Sequence, residues 1–112
     1  KEYKVAMEET HHIHKLDAPS GTAITLAEDI INNSDATHWK LDEVGENTIS
    51  IKSLREGEVP GTHSIKYKSP IDEISIEHKA HNRTGFALGA VIAAEWIAGK
   101  KGVYKMEDVL NL

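Results

Sequence analysis

Residues 1–33 read KEYKVAMEETHHIHKLDAPSGTAITLAEDIINN, and they contain the patterns of a strand, an irregular loop and a helix. In residues 1–10, Tyr3, Val5 and Met7 alternate with polar side chains, which predicts a half-buried strand. Residues 21–33 predict an amphipathic helix, because apolar side chains recur three and four positions apart. Those side chains belong to Ala23, Leu26, Ala27, Ile30 and Ile31. Ser20 or Asp17 can cap the first turn of this helix.

Alternating apolar and polar residues predict three further strands along the chain. They lie near residues 49–52, 63–67 and 74–78. Turn-forming Gly and Pro residues separate these strands, and this spacing predicts an antiparallel meander. Residues 34–46 are polar and show no period, so they are predicted to form a loop.

A second helix is predicted for residues 83–98, ended by Gly99, and a short helical turn for residues 106–110. This second helix is apolar on both sides, so we expect a further domain or a partner subunit to cover it. The element order βαβββα predicts an α+β fold. We expect an open mixed or antiparallel sheet of about four strands with two main helices.

Composition excludes several classes of protein. The 112 residues and 12.4 kDa correspond to one domain, and no apolar run approaches the roughly 20 residues of a membrane helix. With no cysteine, the chain has no disulfide, thiolate zinc site or cysteine nucleophile, which favours a cytoplasmic protein. The net charge of −5 argues against nucleic acid as a partner, because phosphate binders are usually basic.

The densest group of reactive side chains follows the first strand. His11, His12 and His14 are imidazoles, which exchange protons near neutral pH, and Lys15 adds a positive charge that favours an anionic ligand. The sequence Ser20-Gly21-Thr22 then opens a helix, whose first turn has unpaired N–H groups and the positive end of the dipole. Together these parts predict a site for a small carboxylate or phosphate beside a proton donor.

Two other interpretations fit the same residues. His12 and His14 could bind a metal ion, with a third ligand from His63, His78 or His81, although Lys15 would then place a cation beside the metal. Alternatively, the histidines are ordinary surface or core residues and Ser20 is only a helix cap. No GxGxxG or GxxxxGK[ST] motif occurs, so the sequence contains no nucleotide fingerprint.

Three blocks of sequence resemble one enzyme family. The first is Glu9-x-His11-His12-x-x-Lys15-x-Asp17-Ala18-Pro19-Ser20-Gly21-Thr22-Ala23. The second is Arg55-x-Gly57-x-Val59-Pro60-Gly61-x-His63. The third includes His78-x-Ala80, Arg83, Phe86-Ala87-x-Gly89-Ala90 and Gly102-x-Tyr104-x-Met106-x-Asp108-Val109-Leu110. These blocks resemble the C-terminal half of the dihydrodipicolinate reductases, also called 4-hydroxy-tetrahydrodipicolinate reductases.

The resemblance implies a role for five residues. His11 matches the acid/base residue of the family, and Lys15 matches its partner in proton donation and substrate polarisation. His12 matches a substrate contact, while Gly21 and Thr22 match the pair that holds a substrate carboxylate. The implied reaction reduces 4-hydroxy-tetrahydrodipicolinate, via dihydrodipicolinate, with NADH or NADPH on the route to diaminopimelate and lysine.

The resemblance also implies that substrate and cofactor are bound by different domains. We expect residues 1–112 to be a single substrate-binding and tetramerisation domain, with its sheet used in a homotetramer. The dinucleotide-binding N-terminal domain is expected to lie outside this chain, so no cofactor-binding or metal-binding residue is assigned and the chain alone is expected to be inactive. The alternative is a pure oligomerisation module that does not bind a ligand independently.

Overall fold

The computed structural model describes residues 3–112 and divides the chain into two compact units, Lys1–His81 and Asn82–Leu112. The strand predicted to begin at Lys1 is observed from Lys4, and residues 1 and 2 lie outside the described part. The assignment of the whole chain to one functional domain stays a prediction.

The first unit is a five-stranded mixed sheet with one helix. Its elements are β1 (Lys4–His11), α1 (Gly21–Asn32), β2 (His38–Leu41), β3 (Thr48–Arg55), β4 (Thr62–Lys68) and β5 (Glu73–Lys79). The strand order is β2-β3-β1-β4-β5. The neighbours β2, β3 and β1 are parallel, whereas β4 is antiparallel to both β1 and β5. The α+β class and the mixed sheet are therefore confirmed.

Two details of the predicted sheet are wrong. Residues 34–46 are not all loop, because His38–Leu41 form a fifth strand that pairs with β3 at the sheet edge. The antiparallel meander is also wrong, because β1 lies between β3 and β4 and pairs with both. Only β4 and β5 form the expected hairpin. Turn residues show where the chain reverses, but they do not show which strand enters the gap between two neighbours.

Helix α1 covers one face of the sheet and forms the core with it. The buried apolar residues are Met7, Ala23, Ala27, Ile49 and Ile51. Met7, Ile49 and Ile51 share a sheet face because side chains on a strand alternate with a period of two. Alanines on the facing side of α1 let the helix approach the sheet closely. Of the two predicted caps, Ser20 is the one observed: its Oγ accepts from the Ala23 N–H at 3.2 Å.

The second unit contains α2 (Thr84–Ile97) and the short helix α3 (Met106–Leu110), as predicted within one residue at each end. Helix α2 ends just before Gly99, whose φ of +79° is a conformation that glycine adopts readily. None of the residues of α2 is buried, and Phe86 and Val91 are about half exposed. That another domain or subunit covers α2 stays a prediction. Among residues 3–112, no helix is long and apolar enough to cross a membrane.

Candidate functional site

The apolar sheet face under α1 becomes polar at one end. Glu9 and His11 continue the β1 face that contains Met7, and Arg55 continues the β3 face that contains Ile51. The register pairs His11 with Arg55. On the other side of β1, His63 of β4 pairs with Glu9. These strands therefore place the four polar side chains on the same face of the sheet, at the end of β1 that leads toward α1.

The connection between β3 and β4 passes over the end of β1, because these two strands flank it. The Glu56 N–H donates to the His11 carbonyl at 2.8 Å, and the Ile13 N–H donates to the Gly57 carbonyl at 3.1 Å. Gly61, at the far end of this connection, lies close to the His11 ring: a Cβ there would be 3.2 Å from Nε2. The conformation of this loop therefore determines which backbone atoms lie next to the His11 ring.

Glu9 is the centre of the polar group, although it is only 1% exposed. Its Oε1 accepts a hydrogen bond from Arg55 Nη1 and lies 3.2 Å from His11 Nδ1. Its Oε2 accepts from the Ser20 N–H at 2.5 Å. Burial raises the pKa of Glu9, but the hydrogen bonds from Arg55, Ser20 and His11 outweigh burial and hold this pKa below its ordinary value. Glu9 is therefore a buried carboxylate that stays ionised.

His63 completes this group, which we call the His11 cluster (Glu9, His11, Ser20, Arg55 and His63). The His63 and His11 rings meet edge to face, with their centroids 5.1 Å apart. Ser20 Oγ lies 3.1 Å from His63 Nε2, within hydrogen-bond distance. Burial, and next the nearby His11, lower the pKa of His63 from its ordinary value, so its neutral form is favoured.

Lys15 is connected to the His11 cluster through Asp17. Its Nζ is 3.1 Å from Asp17 Oδ1, and this hydrogen bond lowers the pKa of Asp17. The backbone carbonyl of Asp17 accepts from Arg55 Nη2 at 2.5 Å, and Arg55 in turn binds Glu9. The two predicted catalytic residues, His11 and Lys15, thus belong to one hydrogen-bonded system.

The other predicted site residues lie on either side of this system. Gly21 and Thr22 are the exposed first two residues of α1, directly after Ser20, and the first turn of a helix has no internal acceptor for their N–H groups. Nothing lies within 4 Å of where a Gly21 Cβ would be. His12 follows β1, and its ring centroid is 5.9 Å from that of His14. The structure therefore links His11, Lys15 and the start of α1, and it places the His12 ring beside His14.

Sequence reasoning does not place four members of the cluster beside His11: Glu9, Ser20, Arg55 and His63. It gives Ser20 the role of a cap at the start of the helix that forms the anion site, and it gives His63 the role of a possible metal ligand. A signal for Glu9 does exist in the sequence, because a carboxylate that continues the apolar face of a strand is expected to be buried and paired. Within residues 3–112, no group of three or more His, Asp or Glu side chains could hold a metal ion.

An open cavity of about 980 Å³ lies elsewhere on the first unit. Its lining includes Val5, Asn47 and Lys66, and it contains no member of the His11 cluster. Both lysines and carboxylates line it, so the cavity is neither clearly positive, as a site for an anion would be, nor clearly negative, as a site for a cation would be. The candidate site is therefore the His11 cluster, where the side chains converge.

The fold and this cluster define an α+β domain in which a histidine held by a buried carboxylate lies near the first turn of a helix. A family model described as dihydrodipicolinate reductase, C-terminus, matches residues 1–110. The chain therefore belongs to this family, as the sequence blocks predicted.

Relatives and a solved structure agree with this assignment. The 4-hydroxy-tetrahydrodipicolinate reductase of Christiangramia forsetii is 54% identical over 112 residues, which cover 99% of this chain and 47% of that protein. The reductase of the same name from Alkalilimnicola ehrlichii is 40% identical, over 93% of this chain and 43% of that protein. The chain thus spans about half the length of these relatives.

The fold is also similar to that of a solved structure, the dipicolinate-bound dihydrodipicolinate reductase from Paenisporosarcina sp. TG-14. The TM-score is 0.64 at 24% identity, over 93% of this chain and 43% of the other. At this identity the likeness establishes the shared fold.

Proposed function

We propose that this chain is the substrate-binding part of an NAD(P)H-dependent oxidoreductase. The reductase converts 4-hydroxy-tetrahydrodipicolinate, via dihydrodipicolinate, to tetrahydrodipicolinate in diaminopimelate and lysine biosynthesis. The observation that carries the proposal is the His11 cluster, in which a proton-exchanging imidazole is held beside the first turn of α1. The names of the relatives and the dipicolinate in the similar structure support a small dicarboxylate as the ligand.

The start of α1 would hold one carboxylate of the substrate. The N–H groups of Gly21 and Thr22 and the Thr22 hydroxyl can each donate to an anion, and the helix dipole favours negative charge there. Gly21 is open to close approach, since it has no neighbour within 4 Å of a Cβ position. His12 would contact the substrate, as its match in the family motif implies. These donors supply a local site for a dianion on a chain of net charge −5.

Lys15 would add positive charge and assist proton donation. Its present partner Asp17 is 60% exposed, so water and salt screen this ion pair and it contributes little to stability. A dicarboxylate with two negative charges can therefore displace Asp17 from Lys15 at little cost. Lys15 would then neutralise and polarise the substrate while His11 exchanges the proton that accompanies reduction.

The nicotinamide cofactor would supply the hydride from another part of the reductase. Dinucleotide sites of the common type place a glycine-rich turn directly between a strand and a helix. Here residues 12–20 separate β1 from α1, Pro19 of this loop is buried, and the sequence has no glycine fingerprint. The loop between β1 and α1 does not match a dinucleotide site of that type, so we propose that no residue of this chain is the main binding site of the cofactor.

A second candidate function is assembly, either together with substrate binding or in its place. β5 is an edge strand whose seven residues are all exposed, including Ile74 and Ile76 on the α1 face of the sheet. An exposed apolar edge is typical of a surface that pairs with another chain. We propose a homotetramer that uses this sheet, in a cytoplasmic enzyme.

Calorimetric titration of the chain with pyridine-2,6-dicarboxylate tests the proposal. We expect saturable binding that Lys15→Ala weakens by about tenfold, which corresponds to the loss of one charged contact. Lys52→Ala is the matched control, because it removes the same charge from an exposed position on the opposite face of the sheet. Equal weakening by both variants would contradict a specific site. No binding by the folded chain would favour the oligomerisation module.

A further inference from the structure

Glu9 has a geometry that a purely structural carboxylate does not need. It is almost completely buried, and burying a charge is costly unless the charge is paired and hydrogen-bonded. Arg55 pairs with it, and the Ser20 N–H occupies its second oxygen. Those two contacts give each oxygen of Glu9 one hydrogen-bond partner. The same Oε1 nevertheless also lies 3.2 Å from His11 Nδ1, on the residue proposed to exchange the proton.

The chemistry of this contact selects one tautomer of His11. An ionised carboxylate has no proton to donate and can only accept a hydrogen bond. His11 Nδ1 must therefore carry a proton to bond with Glu9. In the neutral ring, this leaves the lone pair on Nε2.

The surroundings of Nε2 fit the same assignment. Nε2 points toward Gly61, and a Cβ at that position would be 3.2 Å away, closer than most real Cβ contacts. The missing side chain therefore leaves room beside the ring atom that the tautomer makes basic. His63 is a further titratable group beside the ring, which it meets edge to face with its own Nε2 beside Ser20.

We infer that Glu9, itself held by Arg55, is a positioning residue that keeps the proton on His11 Nδ1 and so makes Nε2 the atom that exchanges protons. The ring takes a proton from solvent at Nε2 and gives it up from the same atom, while Nδ1 keeps its own. This inference rests on the proposed function for its catalytic meaning. The tautomer itself is a property of the chain without substrate.

The test is long-range 1H–15N NMR of the histidine rings in the 112-residue chain, at a pH where the rings are neutral. The His11 signals are assigned with His11→Gln. We expect Nδ1 of His11 to be the protonated nitrogen in the unsubstituted chain. Glu9→Gln, which keeps the size but removes the charge, should shift the ratio of the two tautomers by about tenfold toward Nε2–H. Glu8→Gln is the matched control, because it removes the same charge from the exposed face of β1.

Two results would overturn the inference. One is a proton on Nε2 in the unsubstituted chain, which needs no variant and holds even if Glu9→Gln does not fold. The other is an unchanged tautomer ratio in folded Glu9→Gln. Neither result depends on a dicarboxylate. Failure of the proposed function would instead appear as absent dipicolinate binding with the tautomer as expected.

Discussion

Replacing Arg55 by Met should destabilise the first unit more than its partly exposed position suggests. Arg55 binds the carboxylate of Glu9 and the backbone carbonyls of Asp17 and Leu54. The substitution leaves a carboxylate that is 1% exposed without its cationic partner. Breaking such a pair costs about 3–5 kcal/mol when both groups are fully buried. Because Arg55 is 19% exposed, water can replace part of the contact, and we expect a loss of about 2–4 kcal/mol at pH 7.

Urea unfolding followed by tryptophan fluorescence measures this loss. Trp39 packs against the core of the first unit, whereas Trp96 belongs to the second, so a Trp96→Phe background makes the signal specific. With a typical slope of about 2 kcal/mol per molar urea, the midpoint should fall by about 1–2 M. Lys52→Met, at an exposed position of β3, is the matched control and should change the free energy by less than about 0.5 kcal/mol.

A double-mutant cycle and a pH series identify the cause of the loss. Arg55→Met combined with Glu9→Gln should cost less than the sum of the single losses, by about 1–3 kcal/mol. The pKa of Glu9 is lowered in the folded chain, so its stabilising contribution is present above its unfolded value of 4.5 and disappears as the pH falls through the folded value. The effect of Arg55→Met should therefore shrink in acid. Strictly additive losses, or a loss that does not change with pH, would refute the reasoning.

Two further predictions concern the core and His63. Ile51→Ala should lower the free energy of unfolding by about 2–5 kcal/mol, measured by urea unfolding, because the Ile51 side chain is fully buried. Ile76→Ala, at a position that is 57% exposed, should lower it by less than about 1 kcal/mol. Similar losses for the two variants would contradict the assigned core. In an NMR pH titration, His63 should titrate below the ordinary value of 6.5, since burial and the nearby His11 lower its pKa. Because the unfolded chain then binds the proton more readily, the folded chain should lose stability as the pH falls below 6.5. A midpoint above 6.5 would be evidence against the packing of His63 around Ser20.

The elements that local patterns specify were predictable, and those that depend on distant partners were not. The periods around Met7 and Ala27 identified β1 and α1, and Ser20 was recognised as a possible cap. β2 was not predicted because it has only four residues. Trp39 and Leu41 are its two apolar side chains, and two positions are too few to show an alternating pattern. The insertion of β1 between β3 and β4 depends on pairing between residues that are far apart in the sequence, which no local pattern encodes.

The candidate site divides in the same way. The resemblance to the family implied roles for His11 and Lys15, and the chemistry of an imidazole and an ammonium group agrees with those roles. The role of Glu9 was not predicted, since the alternation along β1 indicates a buried carboxylate but does not identify Arg55 as its partner. The fold creates that pair, because the pairing of β1 with β3 brings together two residues that are 46 positions apart in the sequence.

The central position of β1 has a consequence for how the chain reaches its native state. β1 precedes the other strands of its sheet in the sequence, yet both of its neighbours come from residues 48–68, so their pairing must close long loops. Contacts between distant residues slow folding, because the loop entropy is lost before the contacts form. The surroundings of His11 should consequently form late and cooperatively, once β4 has docked. A shortened chain that ends before Thr62 would contain every residue of the first motif and still lack the site.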